Sequence, residues 1–125
     1  VTSRSQTISQ WVAGAAFEDL PRRIVEVTRL RILDVIGLSI AGRSTQFGKS
    51  LADSAGDLYP GTESRLWGTG ARSSAPGAAF VNGALSQALE YDDTHNESIV
   101  HISSPSVAAA LALADRRGAS GRDLV

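Results

Sequence analysis

The chain has 125 residues, of which 42% are hydrophobic, enough for one domain with its own core. Twelve Lys and Arg against thirteen Asp and Glu leave a net charge of −1, which argues against the broad positive field that holds nucleic acid or an anionic membrane. The most apolar run, Ile32 to Ala41, is far shorter than the roughly 20 residues of a membrane span and contains Asp34, so no membrane partner is expected either.

Cys is absent, which removes disulfides, thiolate zinc sites and cysteine nucleophiles and fits a cytoplasmic location. The first ten residues are polar and do not read as a signal peptide. Ile8, Trp11, Val12, Ala15 and Ala16 fall at helical spacing and predict a first short helix, ended by Glu18-Asp19-Leu20-Pro21. From Pro21 onward, Ile24, Val27, Leu30, Leu33, Ile36 and Ile40 recur every three or four residues. The second half of this helix is apolar on nearly all sides and is expected to run through the core, with Gly42 as its stop and Asp34 as a buried hydrogen-bonding group.

Ser44 is a candidate cap for a third helix over 45–58, followed by a turn at Tyr59-Pro60-Gly61 and an extended stretch from Ser64 to Trp67. Gly68-Thr69-Gly70 reads as a turn, since no Lys follows to make it a phosphate loop. Arg72 is a candidate anion binder near a helix start, against the plainer reading of a solvated side chain. Ser74 and Pro76 open a helix through Leu89 whose Ala75, Ala78, Ala79, Ala84 and Ala88 allow another helix to come close. Tyr91 to Ser104 is a polar loop. Ser104 and Pro105 start a further helix with Val107, Ala108, Leu111 and Ala114 inward, until Arg117-Gly118. Ser120 to Val125 reads as the capped first turn of another helix, with Asp123 at the capping-box position. The sequence stops inside that element, so residues 1–125 are read as part of a longer enzyme. The fold class is all-α, with about five helices and at most one short strand.

Glu90, Asp92, Asp93, Thr94, His95, Asn96, Glu97, Ser98 and His101 fall within twelve residues, and both histidines of the chain are among them. Two apolar helices flank this loop and would hold it rigidly. An imidazolium can pair with a substrate carboxylate or deliver a proton, and the neutral ring is a general base near pH 7. His101 is the stronger candidate, because it stands just before a helix start, where backbone N–H groups favour an anion. Against this, Asp and Asn in loops commonly cap helices or make turns. Asp92, Asp93, His95 and His101 are also conceivable ligands for a divalent cation, but their spacing matches no defined metal motif, and no metal or cofactor is expected. Asn82 lies two turns before Glu90, on a face that could reach the loop, although a structural hydrogen-bonding role is the simpler reading.

The segments AAFVNGALSQALEYDDTH and VHISSPSVAAALALA resemble the signature of the MmgE/PrpD family, and RILDVIGLSIAG and SRLWGTG look like its earlier segments. The order and spacing agree from about Ile8 to Val125. This family includes 2-methylcitrate dehydratase, cis-aconitate decarboxylase and iminodisuccinate epimerase, which share removal or delivery of a proton next to a carboxylate. The resemblance implies the first part of a large helical domain, with the rest of that domain and a smaller α/β domain lying outside this chain. It also implies that Glu90, Asp92, Asp93, Thr94 and His101 match an Asp-Phe-Asp-Asp-Thr stretch and a following His that line the decarboxylase active site. Two departures stand out: Glu90 replaces an Asp, and the interval from the Asp pair to His101 is one residue longer.

These residues together predict proton transfer next to a carboxylate of a small di- or tricarboxylic acid, by a dehydratase or decarboxylase or, alternatively, an epimerase of an iminodisuccinate-like substrate. His101, Glu90 and Thr94 are the expected catalytic residues, and Asp92, Asp93, His95 and Asn82 the expected substrate-binding ones, converging on a shared cavity. A homodimer is the expected assembly, with the Ala-rich helices as candidate subunit contacts. Further cations would come from outside the chain, which alone should be inactive. The rival reading is a non-catalytic helical module whose acidic loop binds a cation or a partner protein.

Overall fold

The computed structural model describes residues 2–125 and is dominated by helices, as the apolar periodicity predicts. Six α-helices follow in order: α1 (Arg4–Gly14), α2 (Arg22–Gly42), α3 (Gln46–Leu58), α4 (Ala75–Gln87), α5 (Ser103–Arg117) and α6 (Gly121–Leu124). A single 3₁₀ turn, Phe17–Asp19, separates the first two. Between α3 and α4 lies a two-stranded antiparallel ribbon, β1 (Ser64–Arg65) and β2 (Arg72–Ser73), pairing Ser64 with Ser73 and Arg65 with Arg72. The expected extended stretch is thus shorter than Ser64 to Trp67 and has a partner strand. Among the described residues, no helix is long and apolar enough to cross a membrane.

Helix α4 is the hub, packed against α2 on one side and α5 on the other. Its start is set by Ser74, whose hydroxyl accepts from the Gly77 N–H, with Pro76 in the first turn. Small side chains then let neighbours approach: Ala75, Gly77, Ala78, Val81, Asn82, Leu85 and Ser86 are all buried. Gly42 shows how close the approach is. A Cβ there would fall 2.1 Å from the Leu85 carbonyl oxygen, so the last turn of α2 meets α4 backbone to backbone. Gly42 therefore serves packing, and the helix continues through it to cap at Arg43.

The expectation that α2 runs through the core is corrected by the structure. Only Val35, Ser39 and Gly42 of α2 are buried, while Leu33 is 67% exposed and Ile24, Val27, Leu30 and Ile40 are also exposed. Asp34 is exposed too and makes no hydrogen bond among the described residues, so it is not the buried polar group expected. The physical reason is that α4 and α5 cover one stripe of α2, while among the described residues the face carrying Ile24, Val27 and Leu30 has little cover. On α1, Ile8, Trp11 and Val12 are likewise exposed.

The ribbon is pinned to the helices by polar groups. Ser64 donates to the Ala112 carbonyl at 2.6 Å, and Ser73 to the Tyr59 carbonyl at 2.6 Å. Its turn carries Gly68 and Gly70 at positive φ, as the glycine spacing predicts. Arg72 spends its guanidinium on the carbonyls of Thr62 and Glu63 and is a structural residue of the ribbon, not an anion binder. At the far end, Ser120 and Asp123 form the expected capping box of α6, and hydrogen bonds from the Ser120 side chain and backbone hold the Asp123 carboxyl below its usual range.

Candidate active site

The loop between α4 and α5 divides into a base and a tip. At the base, two adjacent aspartates turn in different directions. Asp92 points inward, with its side chain only 1% exposed. Its Oδ2 accepts from Gln87 Nε2 at 2.5 Å and from Ser104 Oγ at 2.9 Å, and lies 3.3 Å from His101 Nδ1. Its Oδ1 is buried and has no partner among the described residues. Asp93 instead caps α5 from across the loop: Oδ1 accepts from the Ser103 N–H at 3.1 Å, and Oδ2 from Ser103 Oγ at 2.7 Å. The residue preceding α5, Ile102, offers no side-chain cap, so Asp93 takes that place. Arg31 of α2 comes within 3.7 Å of the same carboxylate.

These contacts explain why the loop is ordered. Gln87 ends α4 and Ser103 and Ser104 begin α5, so each aspartate ties the loop to helix ends already fixed by packing. The expected start of α5 at Ser104 and Pro105 moves one residue earlier, to Ser103, and the Ser104 hydroxyl is engaged by Asp92.

His101 stands on this base, its side chain 39% exposed. Nδ1 faces Thr94 Oγ1 at 3.5 Å as well as Asp92, and Nε2 makes no hydrogen bond among the described residues. Nδ1 lies within ion-pair distance of Asp92 without a hydrogen bond to it, and a neutral ring with its proton on Nδ1 presents the Nε2 lone pair as a base. Once Nε2 takes a proton, the ring becomes an acid.

The tip closes on itself. His95 N–H donates to the Val100 carbonyl at 2.9 Å, and the Ile99 N–H donates back to His95 at 2.8 Å. The His95 ring lies 2.8 Å from Ser98 Oγ, and its Nδ1 accepts from the Ser98 N–H at 3.3 Å. Every residue from Thr94 to Val100 is exposed, and Ile99 sits at φ 52°.

Of the residues predicted from sequence, the structure brings together His101, Thr94, Asp92 and Asp93. Glu90 is exposed, occupies the left-handed region at φ 56°, and its carboxylate makes no hydrogen bond among the described residues. Asn82 turns elsewhere: its amide accepts from the Trp67 N–H at 3.1 Å and donates to the Arg65 carbonyl at 2.9 Å. A buried amide with both ends engaged by backbone has a structural task, which corrects its assignment as a substrate-binding residue. The expected shared cavity is not among the principal concavities of the described residues. A concavity of about 590 Å³ lies between α2 and the α6 segment, lined by Phe17, Val25, Ile32, Ile36 and Leu124, and neither it nor the other principal concavities include any residue of the loop. The interior of the loop base is filled by its own carboxylates and serines. Among the described residues, no group of three or more His, Asp or Glu gathers in a geometry that could hold a metal ion.

Sequence reasoning missed Gln87, Ser103 and Arg31 as partners of the loop. The Ser-Ser pair facing an Asp-Asp pair was a visible signal for the Ser103 contact, whereas nothing in the pattern marked Gln87. Arg31 had none, because it lies more than sixty positions upstream of Asp93.

Comparison with known proteins gives this arrangement a context. Residues 6–125 match the MmgE/PrpD N-terminal domain. The chain belongs to the MmgE/PrpD family. Among the relatives of this family member, cis-aconitate decarboxylase of Aspergillus terreus is 29% identical over 123 residues, covering 94% of this chain and 25% of that protein. The cis-aconitate decarboxylase-like protein oryM of Aspergillus oryzae is 26% identical over 108 residues, covering 86% of this chain and 22% of its own length. The chain thus spans about a quarter of the length of these relatives. No solved structure matches it significantly. Both relatives are named for a reaction on a small carboxylic acid, and the MmgE/PrpD domain here carries its titratable cluster on the α4–α5 loop.

Proposed function

We propose that this MmgE/PrpD domain serves an enzyme that acts on a small di- or tricarboxylic acid by proton transfer next to a carboxylate, as a decarboxylase or dehydratase. The observation that carries this reading is the setting of His101, with Nδ1 held between Asp92 and Thr94 and Nε2 free. In a decarboxylation the C–C bond breaks, CO₂ leaves, and the electron pair left on carbon takes a proton. In a dehydration a proton leaves the carbon next to the carboxylate while hydroxide departs and is protonated to water. The decarboxylation asks for one positioned acid, and the dehydration for a base at carbon and an acid at the departing hydroxide, each group contributing about 10²–10⁴-fold. The names of the relatives favour the lyase over the epimerase reading.

In this proposal His101 is the general acid or base, and Thr94 hydrogen bonds the substrate or the imidazole. Asp93 orients the loop. Glu90 stands at the exposed rim, where its unpartnered carboxylate can meet a substrate hydroxyl or acid group; its left-handed backbone conformation stores strain of the kind that gathers at functional sites. His95, engaged with Ser98, leaves the substrate-binding set. Arg31 is the cation paired with the loop base, and a di- or tricarboxylate requires more cationic groups than that, supplied from outside this chain. The enzyme is proposed to work without a cofactor, in the cytoplasm and as a homodimer.

The test is full-length enzyme carrying His101→Ala, assayed on cis-aconitate, 2-methylcitrate and iminodisuccinate. Turnover of the preferred substrate should fall by about 10²–10⁴-fold with the helical circular dichroism unchanged. Undiminished turnover removes His101 from the mechanism.

A further inference from the structure

We infer that Asp92 is a positioning residue for His101: its buried carboxylate, clamped by Gln87 and Ser104, fixes the ring with Nδ1 inward and Nε2 toward the substrate. This rests on the reading of His101 as the acid or base. Asp92 itself cannot touch a substrate, since its side chain is 1% exposed. Its Oδ2 is bracketed by one donor from the end of α4 and one from the start of α5, so its orientation is inherited from two packed helices.

The charge balance points the same way. A buried carboxylate is costly unless hydrogen bonded and paired with a cation. Among the described residues Oδ1 has no partner, and Oδ2 meets a neutral amide and a neutral hydroxyl. Arg31 pairs with Asp93, so the group beside Asp92 that can become positive is the imidazole of His101. When Nε2 removes a proton from carbon, the new positive charge forms next to a carboxylate already in place. When the imidazolium returns the proton from Nε2, the carboxylate 3.3 Å from Nδ1 favours keeping the remaining proton on that side. This is the division of labour in a carboxylate–histidine pair, where the acid stays ionised and sets the tautomer.

The neighbouring histidine supplies an internal control. His95 Nδ1 accepts from the Ser98 N–H, so its neutral ring carries the proton on Nε2, the opposite tautomer.

The experiment is long-range ¹H–¹⁵N correlation on full-length protein labelled with ¹⁵N-histidine, together with kinetics. His101 and His95 are assigned by the resonances lost in His101→Ala and His95→Gln. The neutral His101 ring should show a protonated Nδ1 and an unprotonated Nε2, and His95 the reverse. Asp92→Ala should turn His101 toward the Nε2–H form and lower kcat by about 10–100-fold with little change in KM. Ser104→Ala, which keeps the carboxylate and removes one clamp, should move both readouts in the same direction by less, and it serves if Asp92→Ala does not fold. A wild-type His101 in the Nε2–H form overturns the inference, as do Asp92 and Ser104 variants with unchanged tautomer and kcat. Those outcomes are separate from a His101→Ala enzyme that retains full activity, which would instead remove the proposed reaction role of the imidazole.

Discussion

The base and the tip of the α4–α5 loop carry the same residue type six positions apart and treat it differently. His101 at the base has its Nδ1 facing a buried carboxylate, while His95 at the tip folds onto Ser98 of its own turn. Both belong to one acidic, polar segment, so composition cannot separate them. What separates them is where the partner of the ring is anchored. Asp92 is bonded to the ends of two packed helices, whereas among the described residues Ser98 bonds only within the hairpin that it helps to close. A titratable side chain acquires a defined direction from a rigid support.

The largest effect that would break this comparison is on turnover. His101→Ala should cost about 10²–10⁴-fold in kcat/KM, and His95→Gln should change it by less than about threefold; equal losses in a steady-state assay would erase the distinction between base and tip.

Stability comes next. Asp92→Ala strands the buried hydroxyl of Ser104 and the amide of Gln87, and should lower the unfolding free energy by about 2 kcal/mol in urea titration. Asp93→Ala removes the cap of α5 and should cost about 1 kcal/mol by the same measurement, the usual loss for a single helix cap.

Glu90 sharpens the comparison at the point where the base joins α4. Its φ of 56° suits Gly better than any residue with a Cβ, so Glu90→Gly should be more stable than Glu90→Ala by about 1 kcal/mol. If the carboxylate meets substrate, both variants should lose activity together despite that difference. A Gly variant with full turnover would assign Glu90 to the backbone alone. The smallest effect belongs to the tip: Ser98→Ala should shift stability by no more than about 0.5 kcal/mol, since the residue is exposed and its partner is local.

Much of the helical framework was legible in the residues. Ser74 and Pro76 mark the start of α4, Gly118 adopts the left-handed cap that ends α5, and Ser120 and Asp123 form their capping box, because each of these signals acts within one turn of its own helix. The ribbon was half legible: Ser64 and Arg65 were expected to be extended, but their partners Arg72 and Ser73 belong to a strand too short to show a period. In the candidate site, the density of titratable groups singles out the α4–α5 loop, while Asn82, assigned to it by helical spacing, hydrogen bonds the ribbon.

Local sequence determined where helices begin and end, which faces are apolar, and that Glu90 to His101 is the chemically rich segment, since those properties depend on neighbours within about four positions. Tertiary structure alone decided that α4 is buried while much of α2 is not, that Arg31 meets Asp93, and that Asp92 turns inward to His101. An apolar stripe records that a face favours cover, and an acidic residue that it favours a donor. Which atoms answer depends on chain segments brought together from far apart, and Gly42 against the Leu85 carbonyl shows how finely that approach is set.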